Sequence, residues 1–466
     1  MNPRSLRRSP LQRLGIVGLS AIEAPILAAL ATESPLLLIG PHGTAKSLLL
    51  TRIATALGLA FRHYNASLLN FDDLVGFPLP GKDGSLEYAR TPAAIWGAGA
   101  VIFDEISRCR PDIQNKLFPI IHERRVQGLA LEGLQHRWAA MNPPTTDDDD
   151  NGYAGSEPLD AALADRFAFV VAMPSWSEFS PTEQMAVIRA EDTPVADADA
   201  RALTATIART RALLDAQCEA FVTSSAEYVH TVVALLAQAN IPLSPRRANM
   251  LWRGVRAVNA ACLALDPDTT ASDATLIALR ANLPQRAQGL PISETKVLAA
   301  HREAIRAASL DVDDPLRAIL CATDPLERLQ IAARATSLPK SDFSTIVADV
   351  IAQLQPGARE AAIVHLFETG AVGRLNAAVA AQAGETYRDL ATPPKFSKTM
   401  HASDARYKTW GRVKDLLSRL DPDEPRAHLQ ANAMAALFVR DQLQSPEAAD
   451  GAFTAFETTD RMLRAS

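Results

Sequence analysis

Residues 35–47 read Pro-Leu-Leu-Leu-Ile-Gly-Pro-His-Gly-Thr-Ala-Lys-Ser, an apolar run that leads directly into a glycine-rich loop. The apolar run predicts a buried strand over Pro35–Ile39, and the residues after the loop predict a helix over Ser47–Leu57. A loop of this kind between a strand and a helix follows the phosphate-binding pattern G-x-x-x-x-G-K-[ST]. The order of strand, loop and helix therefore predicts an α/β fold with a phosphate-binding loop.

The residues of this loop each suit a task in phosphate binding. Gly40 lets the chain turn out of the strand, and the backbone N–H groups from Gly43 to Lys46 can face phosphates at the N-terminus of the next helix. Lys46 is predicted to reach the β and γ phosphates, and the Ser47 hydroxyl to ligate Mg²⁺. Ala45 stands where the pattern has glycine, and we expect alanine to fit because a helix start needs only a negative φ. The other predicted nucleotide neighbours here are Pro41, His42, Thr44 and Leu48.

A second apolar run, predicted to be a strand over Ala100–Phe103, ends in the adjacent carboxylates Asp104 and Glu105. Asp104 at a strand end can hold Mg²⁺, directly or through water, and Glu105 can orient and deprotonate an attacking water molecule. An apolar run followed by two acids is a weak signal alone. Together with the phosphate-binding loop it predicts Mg²⁺-dependent hydrolysis of a nucleoside triphosphate.

The overall composition limits the class of protein. A chain of 466 residues suggests two or three domains, and 48% hydrophobic with 21% charged residues is ordinary for a soluble globular protein. The net charge of −6 gives no global attraction toward nucleic acid or anionic membranes. The four cysteines are far apart, which argues against a disulfide framework or a zinc site and favours a reducing, cytoplasmic setting.

The N-terminus superficially resembles an export signal, because several arginines precede an apolar stretch over residues 16–31. Glu23 interrupts that stretch, and the stretch runs into the first strand, where a helix is needed. No segment reaches the roughly 18 uninterrupted apolar residues of a membrane span. We therefore expect a flexible N-terminus over residues 1–13, no membrane insertion and a cytoplasmic location.

The remaining pattern divides the chain into three predicted domains. Residues 14–180 alternate apolar runs with helical patterns, which predicts a parallel α/β sheet with a helix over Pro111–Glu123. Residues 181–310 predict a helical lid, and residues 311–466 a helical C-terminal region. Further strands are predicted over Trp138–Met141 and Phe167–Val171, hairpins around Lys82–Gly84 and around Glu132-Gly133, and lid helices over 198–215, 223–238, 246–265 and 272–282.

The chain resembles MoxR-type AAA+ ATPases, within the group related to dynein motor domains. The resemblance covers roughly residues 14–260 and is specific because six motifs occur in the family's order. His42 departs from the family's usual second proline, whereas Ala45 agrees with the family. The motifs are Gly40–Ser47, Asp73–Gly76, Asp104–Arg108, Met141–Pro144, Leu159–Phe167 and Ser244–Arg246.

This resemblance implies roles for residues outside the loop. Asn142 would position the attacking water or sense the γ-phosphate, and Arg166 would be an arginine finger on ATP held by a neighbouring subunit. Arg246, with Arg247 as the adjacent alternative, would contact the nucleotide from the lid. Ile16-Val17-Gly18 resembles the segment that packs on adenine, so Val17 and Gly18 are predicted nucleotide neighbours.

The resemblance also implies an activity and partners. The chain would hydrolyse ATP in a hexameric ring and remodel or activate a protein complex with a partner bearing a von Willebrand factor A domain. The C-terminal helices would be the docking module. Two alternatives stay open: a motor acting on nucleic acid, against which the acidic composition argues, and a nucleotide-gated assembly switch that hydrolyses slowly.

Three further features have both a functional and a structural interpretation. The two hairpins, which carry Lys82, Arg90, Arg124, Arg125 and His136 among others, could face a ring pore or be plain solvated hairpins. The acidic run Asp147–Asp150 could bind a cation or be a solvated loop. Basic and aromatic residues over 395–414, including Lys395, Lys398 and Trp410, could form an interface or a helix with its aromatics in the core.

Overall fold

The computed structural model describes residues 9–80, 86–89, 91–144, 156–191, 193–311, 313–392, 401, 404–424 and 426–465. The chain divides into two compact units, residues 1–305 and 306–466. The predicted division at residue 310 lies close to this boundary, while the predicted division at 180 falls inside the first unit and stays a prediction. The predicted features at residues 1–8, Lys82–Gly84, Arg90, Asp147–Asp150, Lys395 and Lys398 lie outside the described residues.

A five-stranded parallel sheet forms the core of the first unit, in the order β2-β5-β8-β1-β9. Two antiparallel hairpins, β3-β4 and β6-β7, lie outside it. The strands are β1 Leu36–Ile39, β2 Phe61–Asn65, β3 Phe77–Pro80, β4 Leu86–Ala89, β5 Ala100–Asp104, β6 Arg125–Val126, β7 Leu129–Ala130, β8 His136–Met141 and β9 Phe169–Ala172.

Among the described residues, twelve α-helices begin in the first unit, together with three short 3-10 helices. The helix predicted over Pro111–Glu123 has those bounds, and the four predicted lid helices are present with ends shifted by a few residues. The helices are α1 Pro10–Arg13, α2 Glu23–Ala31, α3 Lys46–Ala56, α4 Phe71–Val75, α5 Pro111–Glu123, α6 Ala161–Ala164, α7 Pro181–Ile188, α8 Asp197–Asp215, α9 Glu219–Gln238, α10 Pro245–Leu265, α11 Ala271–Arg280 and α12 Glu294–Ala308.

Strand β1 lies between β8 and β9, in register so that Leu37 is opposite both Ala139 and Val170. All four residues of β1 are buried. A parallel strand covered on both faces needs apolar side chains throughout, which explains why β1 is a continuous apolar run rather than an alternating one. The predicted α/β fold with a parallel sheet and a helical C-terminal region is confirmed.

The second hairpin differs from its prediction. Its turn lies at Gln127-Gly128, where both residues have positive φ (49° and 80°), and not at Glu132-Gly133. A two-residue turn with positive φ at both central positions matches the twist of the flanking strands, and glycine favours it. His136, predicted to lie on this hairpin, is buried in strand β8 instead.

The helix before β1 is shorter than predicted. Helix α2 begins at Glu23 rather than near residue 16, because Gly18 has φ 80° and interrupts a helical path. Glu23 is buried, and its Oε1 accepts a hydrogen bond from the Leu11 N–H at 2.8 Å. The acid that interrupts the apolar stretch therefore fixes residues of the N-terminal segment against α2, although residues 1–13 were predicted to be flexible.

Helix α9 is long and apolar enough, by length and composition alone, to cross a membrane. Core helices of soluble proteins meet the same criteria. On α9 the residues Tyr228, Val232 and Leu236 are buried, and α9 packs against α10. The expectation that the chain does not insert into a membrane stays a prediction.

The described part of the second unit forms eight α-helices and one 3-10 helix. Asp314 and Asp324 cap two of them by accepting backbone N–H bonds, each directly before a proline at the first helical position. Helix α20 packs against both α16 and α18. The helices are α13 Pro315–Cys321, α14 Pro325–Arg334, α15 Lys340–Gln353, α16 Ala358–Glu368, α17 Ala377–Ala391, α18 Ala405–Leu417, α19 Ala427–Val439 and α20 Pro446–Arg464.

The basic and aromatic segment of the second unit is engaged in the fold where it is described. The Trp410 ring lies 4.9 Å from the Phe438 ring, between centroids. Arg412 forms an ion pair with Asp450 at 2.7 Å, and Arg406 forms one with Asp441. Because Trp410 packs against Phe438 and two of the cations have acidic partners, the helix interpretation of this segment is favoured over a nucleic-acid interface, although Tyr407 is exposed.

Candidate nucleotide-binding site

The predicted catalytic residues meet at the carboxyl edge of the parallel sheet. Strands β1, β8 and β5 end at Ile39, Met141 and Asp104, and the phosphate loop leaves β1 at that edge. The Gly40 N–H donates to the Met141 carbonyl at 3.2 Å, which places the start of the loop beside Asn142. In a parallel sheet all strands end at one edge, so motifs distant in sequence converge there.

Lys46 is buried at the first position of α3, and its ammonium donates three hydrogen bonds. The acceptors are the Gly40 carbonyl at 2.7 Å, the Pro41 carbonyl at 2.8 Å and Asn142 Oδ1 at 3.2 Å. Burial lowers the pKa of Lys46, while the charges of Glu105 and Asp104 oppose that shift. A cation held by neutral oxygens and near two carboxylates is poised to exchange those oxygens for phosphate oxygens.

Ser47 and Asp104 offer two oxygens suited to Mg²⁺. The Ser47 hydroxyl donates to Asp104 Oδ2 at 2.6 Å, so the two predicted ligands already converge. Burial raises the pKa of Asp104, but hydrogen bonds from His63, Ser47 and the Glu105 N–H outweigh burial and lower that pKa overall. Mg²⁺ keeps several waters and uses one or two protein oxygens beside substrate phosphates. This pair fits that requirement.

Glu105 directly follows β5 in a left-handed conformation, with φ 53°. Non-glycine residues seldom adopt it, and such strain is commonly found at functional sites. Arg108 Nε lies 3.2 Å from Glu105 Oε2, so the two side chains form an ion pair. The angle between them does not allow a hydrogen bond. Glu105 is therefore turned out of the strand direction, near Lys46 of the phosphate loop, and its role in activating water stays a prediction.

Ala45 corrects one prediction about the loop. Its φ is 61°, in the left-handed region, although a negative φ was predicted to suffice at this position. The loop must bend sharply so that the backbone N–H groups before α3 point into one concave surface, and that bend falls on residue 45. Glycine adopts this φ without steric cost, which explains the common pattern, and alanine here is strained.

A cavity of about 450 Å³ continues from the phosphate loop toward residues 15–19. Val17 lines it, and its contact with a nucleotide stays a prediction. Gly18 does not line it; a Cβ at Gly18 would lie 2.4 Å from the Phe179 ring, so glycine allows Phe179 to close the cavity. The other lining residues are Gly15, Ile16, Leu19, Pro41, His42, Gly43, Thr44, Ala45, Leu48, Met173, Pro174, Ser175, Trp176, Phe179, Val187 and Ala190.

Several residues of this site had no signal in the sequence. Met173, Trp176 and Phe179 lie between β9 and α7 and give the cavity an apolar wall. In the sequence alone, these three residues look like ordinary apolar residues of an amphipathic segment. His63 on β2 lies 3.4 Å from Asp104 Oδ2, because β2 pairs with β5 in parallel register. Only the strand order of the sheet reveals that neighbour.

Arg166, the predicted arginine finger, lies three residues before β9, at the opposite edge of the sheet from the loop. Its guanidinium donates to the Ala162 carbonyl at 2.6 Å and lies 4.4 Å from the centre of the Phe118 ring. It does not line the cavity beside the phosphate loop. Its role as an arginine finger stays a prediction.

The motifs at residues 165–167 and 244–246 meet through Asp165. Its carboxylate accepts from the Ser244 hydroxyl at 2.9 Å and from Arg247 Nε at 3.3 Å, and Arg246 Nη1 lies 3.7 Å away. Arg247 is fully buried and also donates to the Phe167 carbonyl at 2.8 Å. Arg247 therefore fastens the start of α10 to the segment before β9.

Arg246 has a different environment from its neighbour. Its side chain is 44% exposed, and its charge lowers the pKa of Arg166 together with burial, which is the larger cause. Arg246 does not line the cavity beside the phosphate loop of its own chain, where it was predicted to contact nucleotide. Arg246 therefore lies near Arg166, whereas Arg247 is the arginine that holds α10 against the segment before β9.

Comparison with known proteins agrees with this site. The family model of the AAA domain, dynein-related subfamily, matches residues 35–167. That range includes the phosphate loop, Asp104, Glu105, Asn142 and Arg166. No curated protein matches the chain.

Solved structures are similar at low identity. One, from Cytophaga hutchinsonii and provisionally assigned as an ATPase, is 18% identical and covers 64% of this chain and 91% of its own, with a TM-score of 0.42. Another, a full-length MCM homolog from Methanopyrus kandleri, is 14% identical and covers 61% of this chain and 60% of its own, with a TM-score of 0.41. Residues 35–167 thus match the dynein-related AAA group, which agrees with the resemblance in the motifs.

Proposed function

We propose that this protein binds ATP with Mg²⁺ and hydrolyses it to ADP and phosphate. One observation carries the proposal: at the end of the sheet Lys46 donates to Asn142 and the adjacent Ser47 donates to Asp104, with Glu105 next to Asp104. This set contains a phosphate-binding cation, two oxygens for a metal ion and a carboxylate for water. Phosphoryl transfer depends on positioning and charge stabilisation, which such a set provides.

Each side chain has a distinct task in this mechanism. Lys46 exchanges the loop carbonyls for phosphate oxygens, and Ser47 with Asp104 would hold the metal ion. Mg²⁺, when bound, neutralises charge on the phosphate oxygens. Glu105 orients the attacking water and accepts its proton, while Asn142 fixes the direction of attack. The apolar cavity beyond the loop takes the adenine, with Val17 and Leu48 among its walls.

Arg166 and Arg246 support a ring. Both lie away from the cavity of their own chain and near each other, at the amino end of β9. In a ring, the face with these cations would meet the nucleotide of the adjacent subunit, where an arginine finger neutralises charge in the transition state. We therefore propose that Arg246 acts with Arg166 on the neighbour's nucleotide. A hexamer is the form that the resemblance implies.

The proposed cellular role is remodelling or activation of a protein complex in the cytoplasm, with a von Willebrand factor A domain partner. The support is the resemblance to MoxR-type ATPases over residues 14–260. The second unit, an all-helical region in its described part, is the proposed docking module. The nucleic-acid motor has less support, because Arg406 and Arg412 of α18 pair with acids of their own unit.

The first test is Glu105→Gln, with Glu132→Gln on the exposed surface as the matched control. Glu105→Gln should lower the turnover number for ATP by at least about 10²-fold, the scale of a lost general base, and leave the Kd for ATP within about threefold. Phosphate release and fluorescent-nucleotide binding measure these quantities. Unchanged turnover in Glu105→Gln, with an inactive Lys46→Ala, would show that Glu105 is not the base.

The same Glu105→Gln protein tests assembly and role. With ATP it should sediment as a closed oligomer in analytical ultracentrifugation, and a pull-down should retain a protein with a von Willebrand factor A domain. A monomer at all nucleotide concentrations would contradict the ring. Retention of nucleic acid instead of protein would replace the remodelling proposal with the nucleic-acid motor and leave the hydrolysis proposal standing.

A further inference from the structure

A second cavity, of about 530 Å³, lies at the amino edge of the parallel sheet. Residues 32–35 before β1, Arg137 of β8 and Phe169 of β9 line it, together with residues of α10. Because the phosphate loop leaves β1 at its carboxyl end, this cavity lies on the opposite edge of the sheet. It is therefore separate from the proposed nucleotide site.

Cationic side chains outnumber acidic side chains in the lining of this cavity. Four arginines and one histidine line it against two carboxylates, Glu33 and Asp215, so the formal excess with neutral histidine is four minus two, or +2. Glu33 is already engaged, because its carboxylate lies 3.1 Å from Arg124 and 3.7 Å from Arg211. The cationic residues of the lining are His122, Arg124, Arg137, Arg253 and Arg256.

Arg137 is the strongest indication that this cavity suits an anion. The residue is 4% exposed, and its guanidinium donates to carbonyls of Ile121 at 3.1 Å, Glu33 at 2.8 Å and Gln135. Within the described ranges no carboxylate lies within 4.0 Å of it. Burial and then Arg124 lower its pKa to about 10, and Glu33 opposes the shift. A buried cation without a close anion is costly for the fold.

The mouth of the cavity holds further groups suited to an anion. Arg253 on α10 is exposed and, as far as the structure describes the chain, has no acidic partner within 4.0 Å. Arg256, one turn along, donates to Gln217 at 2.9 Å and lies 5.1 Å from the Trp252 ring centre. Guanidinium groups offer paired N–H donors that match phosphate oxygens. The rings of Trp252 and Phe169 form an apolar part of the cavity wall.

We propose that this cavity binds a small anion bearing more than one phosphate group, held by Arg137 inside and Arg253 at the mouth. Its volume falls in the range of small-molecule sites. Because sheet residues and α10 both line it, a bound anion would join the α/β sheet to the lid. The proposal does not depend on ATP hydrolysis.

Inorganic tripolyphosphate without Mg²⁺ is the probe. Wild-type protein should bind two molecules in calorimetry, one at the phosphate loop and one in the cavity. Lys46→Ala should lose the loop site and keep the cavity site, and binding in that variant should change the fluorescence of Trp252. Replacing Trp252 by phenylalanine should remove the optical change while calorimetry still shows the site.

Arg253→Ala in the Lys46→Ala protein should weaken the cavity site about tenfold, the usual loss for one charge-assisted hydrogen bond. Arg209→Ala is the matched control, because Arg209 is an exposed arginine of α8 outside the cavity. Circular dichroism should show equal melting for both variants. The proposal is overturned if Lys46→Ala binds no tripolyphosphate, or if Arg253→Ala and Arg209→Ala bind it equally.

Discussion

The two edges of the parallel sheet differ in charge balance. At the carboxyl edge, the Lys46 ammonium lies near the carboxylates of Asp104 and Glu105. At the amino edge, Arg137 is buried without a close carboxylate among the described residues, and Arg166 and Arg246 lie near each other. The cation of the carboxyl edge therefore lies among acids of its own chain, whereas the amino edge carries more cations than acids even though Glu33 and Asp165 pair with some of them.

The largest expected effect tests whether the amino edge serves another subunit. Arg166→Ala should lower the turnover number for ATP by about 10³-fold, the lower end for an arginine finger, and leave the Kd for ATP within about threefold. Mixing it with inactive Lys46→Ala protein should restore part of the activity, since some intact phosphate loops would then face an intact Arg166.

Arg189→Ala is the control for this experiment, because Arg189 is exposed just beyond α7 and has no described ion pair. It should leave turnover unchanged. If Arg166→Ala loses ATP affinity rather than turnover, or if the mixture recovers nothing, the arginine acts within its own chain and the contrast between the two edges fails.

The second prediction separates the adjacent arginines of α10. Arg247→Met should destabilise the first unit by about 3–5 kcal/mol, because Asp165 and the Phe167 carbonyl lose a buried charged partner. Arg246→Ala should change stability by less than about 0.5 kcal/mol, because its side chain is largely exposed, and should lower turnover instead. Urea unfolding and phosphate release measure the two effects. If Arg246→Ala were the destabilising change and Arg247→Met the one that lowers turnover, Arg246 would be the structural residue and Arg247 the functional one.

The third prediction concerns pH at the amino edge. Burial, then the charges of Arg137, Arg211 and Arg124, lowers the pKa of His136 to about 4. Between pH 6.5 and 4 the unfolded chain binds a proton that the folded chain does not. The contribution of His136 to the free energy of unfolding is therefore fully present above pH 6.5. It falls as the pH drops, by about 3 kcal/mol near pH 4.

His136→Phe should remove that share of the pH dependence, since a phenyl ring can still stack on Trp138, which lies 5.0 Å away between centroids. His230→Phe is the control, because His230 is exposed on α9. Urea midpoints at pH 7 and pH 5 give the comparison. Equal pH dependence in wild-type protein and His136→Phe would show that His136 is not a source of acid sensitivity.

The smallest expected effect lies at the carboxyl edge. Ala45→Gly should stabilise the first unit by about 0.5–1 kcal/mol, because relief of the left-handed strain exceeds the entropic cost of glycine. Ala56→Gly at the end of α3 should not stabilise it. A loss of stability in Ala45→Gly, seen in urea unfolding, would show that the strain at this position is offset by contacts of the methyl group.

Much of the carboxyl edge could be predicted because its signals are local. The bounds of β1, α3 and α5 follow from runs of apolar residues and from the loop between them. Local patterns do not give backbone dihedral angles, which is why Ala45 was assigned the wrong φ. They also do not separate adjacent residues of one type: only burial distinguishes Arg247 from Arg246.

The sequence by itself determined the parallel α/β core, the helical regions and the phosphate-binding chemistry, because a strand, a glycine-rich loop and a helix are read within a dozen residues. Only the tertiary structure decided which distant groups meet. The strand order brings His63 to Asp104, and the packing of α10 brings Arg247 to Asp165. The cavity around Arg137 has the same origin, because its walls come from segments far apart in the chain and no local pattern encodes their meeting.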